Sequence, residues 1–136
     1  MIEETAKLEA KIFPDPWSCQ EVGKTVRGRH TFCASAKEGD TLLGYLLCYY
    51  VLDECEIARI AVDAWARRRG IGQMLLAYLE EFCRDKGIAR ILLDVRRSNQ
   101  AAICFYEKNG FGVDGMRKGY YGGKEPEDAV LMSRIL

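Results

Sequence analysis

Apolar side chains recur every three or four positions between Ile71 and Lys86, and charged side chains occupy many of the positions between them. This spacing places the apolar residues on one face of an α-helix and the charged residues on the other. Gly87 follows directly, and glycine is common just past a helix end. The pattern predicts a long amphipathic helix over Ile71–Lys86, in which Leu75, Tyr78, Leu79 and Phe82 repeat at spacings of three and four.

A capping box predicts another helix near the start of the chain. Ser18 is followed three residues later by Glu21, a pair that satisfies two backbone N–H groups at a helix start. Pro14 and Pro16 precede it and end an earlier helix, because the residue before a proline avoids the helical conformation. Besides the long helix, the predicted helices are Glu3–Ile12, Cys19–Val26 and Asn99–Lys108, the last with Asn99 as cap and Gly110 as stop.

Six segments have the composition of β-strands: Thr31–Ala36, Thr41–Val51, Cys55–Val62, Ala89–Val95, Phe111–Tyr121 and Ala129–Leu136. Simple alternation along the third segment places Glu56 on the same face as Ile60 and Val62. The fourth segment is almost wholly apolar, which is typical of a strand buried on both faces. The order of elements predicts one domain over residues 1–136 of the mixed α/β (α+β) class, with helices on the faces of a sheet.

The composition narrows the possible partners. Twenty basic and twenty acidic side chains cancel in a chain of 136 residues, which argues against a general nucleic-acid-binding surface. The longest strongly apolar stretch, Thr41–Leu52, is far shorter than the roughly 20 residues of a membrane span. The acidic N-terminus does not have the pattern of a secretory signal. We therefore expect a cytoplasmic protein with neither a nucleic-acid nor a membrane partner.

The spacing of the cysteines does not indicate a disulfide framework or a zinc site. All six lie singly within the chain, and no C-x-x-C pair occurs. The single histidine, His30, does not complete a zinc site with them at the usual spacings. We expect reduced and mostly buried cysteines, and no metal site.

The segment Arg67-Arg68-Arg69-Gly70-Ile71-Gly72 lies between a predicted strand and the long helix. Unpaired N–H groups and the helix dipole make such a helix start suitable for a phosphate group. The alternative is a solvated basic loop followed by a glycine turn. Gln73 stands where a Walker loop needs lysine, and Leu75 stands where a dinucleotide fingerprint needs its third glycine. Both of those nucleotide sites are therefore disfavoured.

The loop resembles the [RQ]-x-x-G-x-[GA] pyrophosphate motif of the GNAT superfamily of acyl-CoA N-acyltransferases, with Arg67, Gly70 and Gly72 at its defined positions. The chain is most similar to the bacterial ribosomal-protein alanine N-acetyltransferases, over residues 12 to 134. The further matching stretches are Phe13-Pro14-x-Pro16-Trp17-Ser18, Val51-Leu52-Asp53-Glu54, Ile60-Ala61-Val62-Asp63, Leu93-Asp94-Val95-Arg96-x-Ser98-Asn99, Phe105-Tyr106-Glu107-x-x-Gly110-Phe111 and Arg117-x-x-Tyr120-Tyr121.

The resemblance implies a mostly antiparallel sheet in which two strands splay apart around acetyl-CoA. In such enzymes the pantetheine arm bonds to the backbone of one splayed strand, and the pyrophosphate rests on the helix start. Asn99 is implied to contact the cofactor arm, although a plain helix cap explains it equally well. The implied cofactor-binding residues are Ile60, Ala61, Val62, Arg67, Arg68, Arg69, Gly70, Ile71, Gly72, Gln73 and Asn99.

The resemblance also implies an acid and a base. Tyr106 aligns with the tyrosine that protonates the leaving thiolate, the alternative being a packing role between helix and sheet. Asp94 stands where the family usually has glutamate, and Glu56 is a second candidate for the base. A carboxylate in an apolar strand needs a partner or a function, so the alternative for Asp94 is a salt bridge. Its candidate partners are Arg59, Arg96 and Arg97.

Tyr120 and Tyr121 match the residues that line the peptide-binding side of the family. An α-amino group has a pKa of about 8 and a lysine side chain about 10.4, so an N-terminal amine needs only a modest base. We expect an enzyme that acetylates a protein N-terminus, with alanine first, on a protein such as one of the small ribosomal subunit. The alternatives are a GNAT enzyme acting on lysine or a small amine, and a non-catalytic acyl-CoA-binding module.

Two further expectations concern the chain as a whole. GNAT domains normally begin with a strand, and Met1-Ile2 can scarcely supply one, so the first strand is expected to be absent or altered. The chain is expected to act as a monomer or a weak dimer.

Overall fold

The computed structural model describes residues 2–136, which form four α-helices, one short 3₁₀ turn and six strands. The helices are α1 Ile2–Ile12, α2 Cys19–Val26, α3 Ile71–Lys86 and α4 Gln100–Lys108, and the turn is Ala64–Ala66. The strands are β1 Thr31–Glu38, β2 Thr41–Val51, β3 Glu54–Val62, β4 Arg90–Arg96, β5 Gly112–Tyr121 and β6 Glu127–Ile135. No strand precedes α1 among these residues.

The predicted caps explain why the helices begin and end where they do. The α2 capping box forms as predicted, with Ser18 Oγ accepting from Glu21 N and the Glu21 carboxylate accepting from Ser18 N. Gly87 ends α3 in the left-handed conformation at φ 75°, which favours glycine. The predicted bounds of α2 and α3 are therefore confirmed to the residue.

The strands form one mixed sheet in the order β1-β2-β3-β4-β6-β5. All neighbouring pairs are antiparallel except β3 and β4, which run parallel. α3 packs against β1, β2 and β3 on one face, and on the other α2 packs against β1 and β2 and α1 packs against β2. The predicted fold class, a mostly antiparallel sheet with helices on both faces, is confirmed.

A β-bulge in β3 divides this strand into two parts, and the alternation of side chains between the two faces of the sheet is reversed from one part to the other. Ile57 pairs with Cys48 and Arg59 pairs with Leu47, so Ala58 is an extra residue opposite the β2 ladder. Ile57 therefore faces the α3 core on one side of the bulge, and Ile60 faces it on the other. The predicted sharing of a face by Glu56, Ile60 and Val62 is wrong, because the bulge breaks the alternation between them.

β3 and β4 separate just after this bulge. Their pairing ends at Ile57 and Leu93, although β3 continues to Val62 and β4 to Arg96. A bulge increases local twist and bends its strand, which gives a physical reason for the separation at this point. The predicted splay of the two strands is present, and one backbone edge of β3 lies open beyond it.

The cysteines are all free. Cys48, Cys55 and Cys83 are buried, Cys33 is partly buried, and Cys19 and Cys104 are exposed, so half of the six cysteines are buried, and not most of them as predicted. Each of the exposed cysteines lies on the outer side of a short helix. Within residues 2–136 there is no cluster of His, Cys, Asp and Glu able to hold a metal ion, and no helix long and apolar enough to cross a membrane.

Candidate active site

A cleft of about 610 Å³ opens where β3 and β4 separate. Its walls are the end of β3, the start of α3 and the inner side of α4, with Ile12 and Phe13 at one end. This volume lies within the range of about 300–1,000 Å³ usual for small-molecule sites. Every residue predicted to bind the cofactor lines the cleft except Arg69: Ile60, Ala61, Val62, Arg67, Arg68, Gly70, Ile71, Gly72, Gln73 and Asn99.

The start of α3 supplies backbone donors to this cleft. The first intrahelical bond is Met74 N to Gly70 O, so the N–H groups of Ile71, Gly72 and Gln73 precede the ladder. No side chain caps this end and no acidic residue lies in the first turn. Unpaired donors and the positive end of the helix dipole therefore meet at one point, which fits a pyrophosphate group.

The three successive arginines of the loop have different contacts. Arg67 Nε donates to Val62 O at 3.2 Å and so holds the loop against the end of β3. Arg68 lines the cleft and has a positive φ of 65°. Arg69 instead pairs with Glu38 at 2.6 Å and lies over the Trp65 ring at 5.7 Å. The Arg69 side chain is thus bound at the β1–β2 turn, and only the backbone of Arg69 can contribute to a phosphate site.

Gly70 and Gly72 are required for different reasons. Gly70 has φ 76° with open space where a Cβ would lie, so glycine is needed there for its backbone conformation. A Cβ on Gly72 would lie 3.0 Å from the Phe105 ring of α4. Gly72 therefore lets α4 approach the start of α3 closely, and this approach forms one corner of the cleft.

We expect Gly72→Ala to destabilise the protein by about 1–3 kcal/mol, because the added methyl group has to displace Phe105. Urea unfolding measures this change. Gly112→Ala is the matched control, since a Cβ there meets nothing within 4 Å. Equal stability of the two variants would show that the contact between α3 and α4 at Gly72 is loose.

Asn99 caps α4, and its side-chain oxygen accepts from Ala102 N at 3.2 Å. Asn99 also lines the cleft. The two explanations of this residue are therefore compatible: the capping role is observed, and a contact to the cofactor arm stays a prediction. Both depend on the same place in the fold, the point where β4 passes into α4.

Tyr106 is the one predicted catalytic residue inside the cleft. Its side chain is 6% exposed, and burial raises the pKa of its hydroxyl above the usual value. The Tyr106 hydroxyl has no hydrogen-bond partner within residues 2–136. Every fully buried side-chain polar atom of these residues does have a partner, so the Tyr106 hydroxyl is not fully buried. The hydroxyl therefore reaches the cleft. A phenol that keeps its proton and faces a cleft is suited to donate that proton.

The face of the sheet opposite α3 and α4 carries the other candidate residues. Along β4, Ile91, Leu93 and Val95 are buried while Asp94 and Arg96 alternate with them on the opposite side. The β4 residues on this side, Leu92, Asp94 and Arg96, are only partly buried. We call this surface the open face, and its central residues are Glu56, Asp94, Arg96, Arg117 and Tyr121.

The Asp94 carboxylate has no hydrogen bond or ion pair within residues 2–136. The three arginines considered as its partners are bound elsewhere: Arg59 to Glu9 at 3.0 Å, Arg96 to Glu127 at 3.3 Å and Arg97 to Asp128 at 3.8 Å. The salt-bridge explanation of Asp94 is therefore wrong. Asp94 lies one residue past the last β3–β4 pair, at the opening between the strands.

Glu56 lies on the same face, beside Leu92 in the register. Partial burial, followed by the negative charge of Asp94, raises the pKa of the Glu56 carboxyl, and Arg117 partly opposes this. The two carboxylates are thus close enough to influence each other's protonation. Glu56 sits within the paired part of the strands, whereas Asp94 sits beyond it.

Tyr121 connects the open face with the cleft. Burial and the charge of Asp94 raise the pKa of Tyr121 to about 12, and the charge of Arg96 opposes this. Tyr121 in turn contributes to the raised pKa of Tyr106. Tyr121 is therefore within electrostatic range of both Asp94 and Tyr106. Tyr120 is half exposed and packs edge-on against Tyr121, with ring centroids 5.1 Å apart.

Some residues at the edge of the site were not predicted. Glu9 of α1 is fully buried, and its carboxylate accepts from Tyr45 and Arg59 and from Trp17 N. Asp15 lies in the loop between α1 and α2 and pairs with Arg96. The available signal for Glu9 was its place four residues after Thr5 on the buried face of α1. The ion pair between Asp15 and Arg96 joins residues 81 positions apart, so no local sequence pattern predicts it.

The sequence model of the Acetyltransferase (GNAT) family matches residues 2–111, a range that contains the cleft, Asp94 and Tyr106. The chain belongs to the GNAT acetyltransferase family. The resemblance in the sequence motifs is thereby confirmed, and with it an acyltransferase activity that uses acetyl-CoA.

Individual relatives cover nearly the whole GNAT chain. The ribosomal protein bS18-alanine N-acetyltransferase of Salmonella typhimurium is 33% identical over 128 residues, which are 93% of this chain and 86% of the relative. The crystal structure of the ribosomal-protein-S18-alanine N-acetyltransferase from Escherichia coli has a TM-score of 0.90 at 30% identity, covering 98% of this chain and 86% of that one. Arabidopsis thaliana Naa50, solved with the bisubstrate analogue CoA-Ac-MVNAL, has a TM-score of 0.86 at 25% identity, covering 98% of this chain and 91% of that one.

Proposed function

We propose that the protein transfers the acetyl group of acetyl-CoA to the N-terminal α-amine of a protein whose first residue is alanine, a ribosomal protein of the small subunit being the favoured acceptor. The observation that carries the proposal is the unpaired Asp94 at the opening between β3 and β4. It is reached from the open face and lies within electrostatic range of Tyr121. The names of the Salmonella typhimurium and Escherichia coli relatives supply the alanine and the ribosomal protein.

Acetyl-CoA supplies the acetyl group as a thioester. The N–H groups of Ile71, Gly72 and Gln73, with the charge of Arg68, would hold its pyrophosphate. The unpaired edge of β3 beyond Ile57 leaves backbone groups free to bond the pantetheine arm, as an added strand would. Held in this way, the arm would run along β3 toward the opening between the strands.

Asp94 would then act as the general base and Tyr106 as the general acid. Asp94 accepts a proton from the incoming amine, directly or through a water molecule, since its carboxylate is held by no cation. Tyr106 keeps its proton at neutral pH because burial raises its pKa, and it donates that proton to the departing thiolate. Glu56 is the second candidate for the base, because it shares the open face and has a raised pKa.

Tyr120 and Tyr121 are proposed to line the side where the peptide binds. Tyr121 would contact the first residues of the acceptor, since it borders both Asp94 and the opening. Tyr120 would support it by edge-on packing. The acceptor is a ribosomal protein in this proposal, so the proposed place of action is the cytoplasm, with a monomer or weak dimer as the acting form.

The proposal is tested by following thiol release from acetyl-CoA in the presence of short peptides. One peptide begins with a free alanine and contains no lysine; the second has a blocked N-terminus and one lysine. We expect release with the first peptide only. Release with the second peptide alone would identify a lysine acetyltransferase, and acetyl-CoA binding without release on either would identify a non-catalytic module.

A further inference from the structure

Arg96 makes three separate contacts on the open face. Its NH1 group donates to Glu127 of β6 at 3.3 Å, and its NH2 group pairs with Asp15 of the α1–α2 loop at 3.7 Å. Its guanidinium also lies over the Tyr121 ring at 4.2 Å. Arg96 therefore joins β6, the end of β5 and the α1–α2 loop, which are far apart in the sequence.

The same loop is held from the other splayed strand by Arg59. Its NH2 group donates to the Asp15 carbonyl at 2.6 Å, and its guanidinium lies over the Phe13 ring at 4.4 Å. Arg59 is paired with the fully buried Glu9, and breaking such a buried pair strongly destabilises a protein. Arg59 is thus a fixed anchor for the loop, whereas the Arg96 contact to Asp15 is partly exposed.

These contacts frame Asp94. Arg96 follows Asp94 by two residues on the same face of β4, a distance of roughly 7 Å along a strand. Arg96 contacts both the α1–α2 loop, at Asp15, and the Tyr121 ring, and Tyr121 lies within electrostatic range of Asp94. An amine that approaches Asp94 from the open face therefore comes close to the residues that Arg96 holds.

We propose that Arg96 is a positioning residue for the acceptor: by holding Tyr121 and the α1–α2 loop at a fixed separation, it sets the width of the entrance to Asp94. This proposal rests on the proposed function, because it assumes that the acceptor enters over the open face. Arg96 touches neither the thioester nor the amine in this scheme. Its effect is on acceptor binding and not on the chemical step.

Arginine is suited to this role and lysine is not. The planar guanidinium presents separate N–H groups to Glu127 and Asp15 while its flat face lies against Tyr121. An ammonium group can form one of the ion pairs but cannot reproduce all three contacts. Hydrogen bonds from Ser98 keep the pKa of Glu127 below its usual range, so this partner stays charged at neutral pH.

The kinetic test compares Arg96→Gln with Arg97→Gln, a neighbouring change of the same charge at an exposed residue that pairs with Asp128. We expect Arg96→Gln to raise KM for the alanine peptide about tenfold, with kcat and KM for acetyl-CoA within about twofold of the unchanged enzyme, and Arg97→Gln to change none of them. Arg96→Lys should recover only part of the loss. An equal effect of Arg97→Gln, or full recovery with lysine, would overturn the proposal.

Hydrogen exchange gives a second readout that needs no activity. In Arg96→Gln we expect faster exchange in both residues 12–18 and residues 118–122, with no change in α3. Asp15→Asn should accelerate the first segment and add little in combination with Arg96→Gln. Unchanged exchange in both segments would overturn the positioning role. If the unchanged enzyme fails to acetylate the alanine peptide, the proposed function falls, and the exchange result still decides whether Arg96 holds the two segments.

Discussion

Replacing Tyr106 with phenylalanine is expected to lower kcat about 100-fold or more, because general acid catalysis by a positioned side chain contributes roughly 10²–10⁴ in rate. The change removes one oxygen and keeps the ring that packs against Phe105 and Phe111. KM for acetyl-CoA should change little, since the start of α3 is untouched. Steady-state kinetics with a peptide that begins with alanine measures both values.

Tyr78→Phe is the matched control for this prediction. Tyr78 lies on α3, is half exposed and does not line the cleft, so the same chemical change there should leave kcat unaltered. Thermal unfolding of both variants checks that the fold is intact. A Tyr106→Phe enzyme with unchanged kcat would return Tyr106 to a packing role, and the departing thiolate would then need another proton source.

Replacing Asp94 with asparagine is expected to lower kcat by a similar factor of about 10²–10⁴. The amide keeps the size of the side chain but cannot take a proton from the amine. The unfolding free energy should change little, because Asp94 has no ion-pair partner within residues 2–136 whose charge would be left unpaired. Asp94→Glu restores a carboxylate that is longer by one methylene group and should recover part of the activity.

Glu56→Gln separates the two candidate bases. If Asp94 is the base, this change lowers kcat far less than Asp94→Asn does. If Glu56 is the base, kcat/KM falls as the pH drops through the raised pKa of Glu56, and this acid limb disappears in Glu56→Gln. A larger loss in Glu56→Gln than in Asp94→Asn would contradict the assignment of Asp94.

Local signals in the sequence predicted the helices of this fold well. The capping box at Ser18 and the glycine after Lys86 act within a few residues, so their effect can be derived without knowing the rest of the fold. The facing of β3 could not be derived in the same way. Whether Ala58 is accommodated as a bulge depends on the register of β3 with β2, and that register is a property of the assembled sheet.

The same distinction holds for the candidate site. The arginine and glycine loop was found because a strand, a glycine pair and a helix start follow one another directly in the sequence. The ion-pair partners of Arg59, Arg96 and Arg97 could not be predicted in this way, because each partner carboxylate lies on an element that is distant in the sequence. The sequence therefore left Asp94 with a salt bridge as an alternative, and only the folded arrangement shows that those arginines are bound elsewhere.

The claim that the protein acetylates an N-terminal α-amine is tested most directly on one peptide that carries both kinds of amine. The peptide begins with alanine and contains an internal lysine, and it is incubated with the protein and acetyl-CoA at pH 7. Tandem mass spectrometry of the product locates the acetyl group. We expect it on the alanine nitrogen, with the lysine unmodified and about 100-fold slower formation of this product by the Tyr106→Phe protein. An acetyl group on the lysine, or no acetylated peptide from a protein that binds acetyl-CoA, would contradict the account.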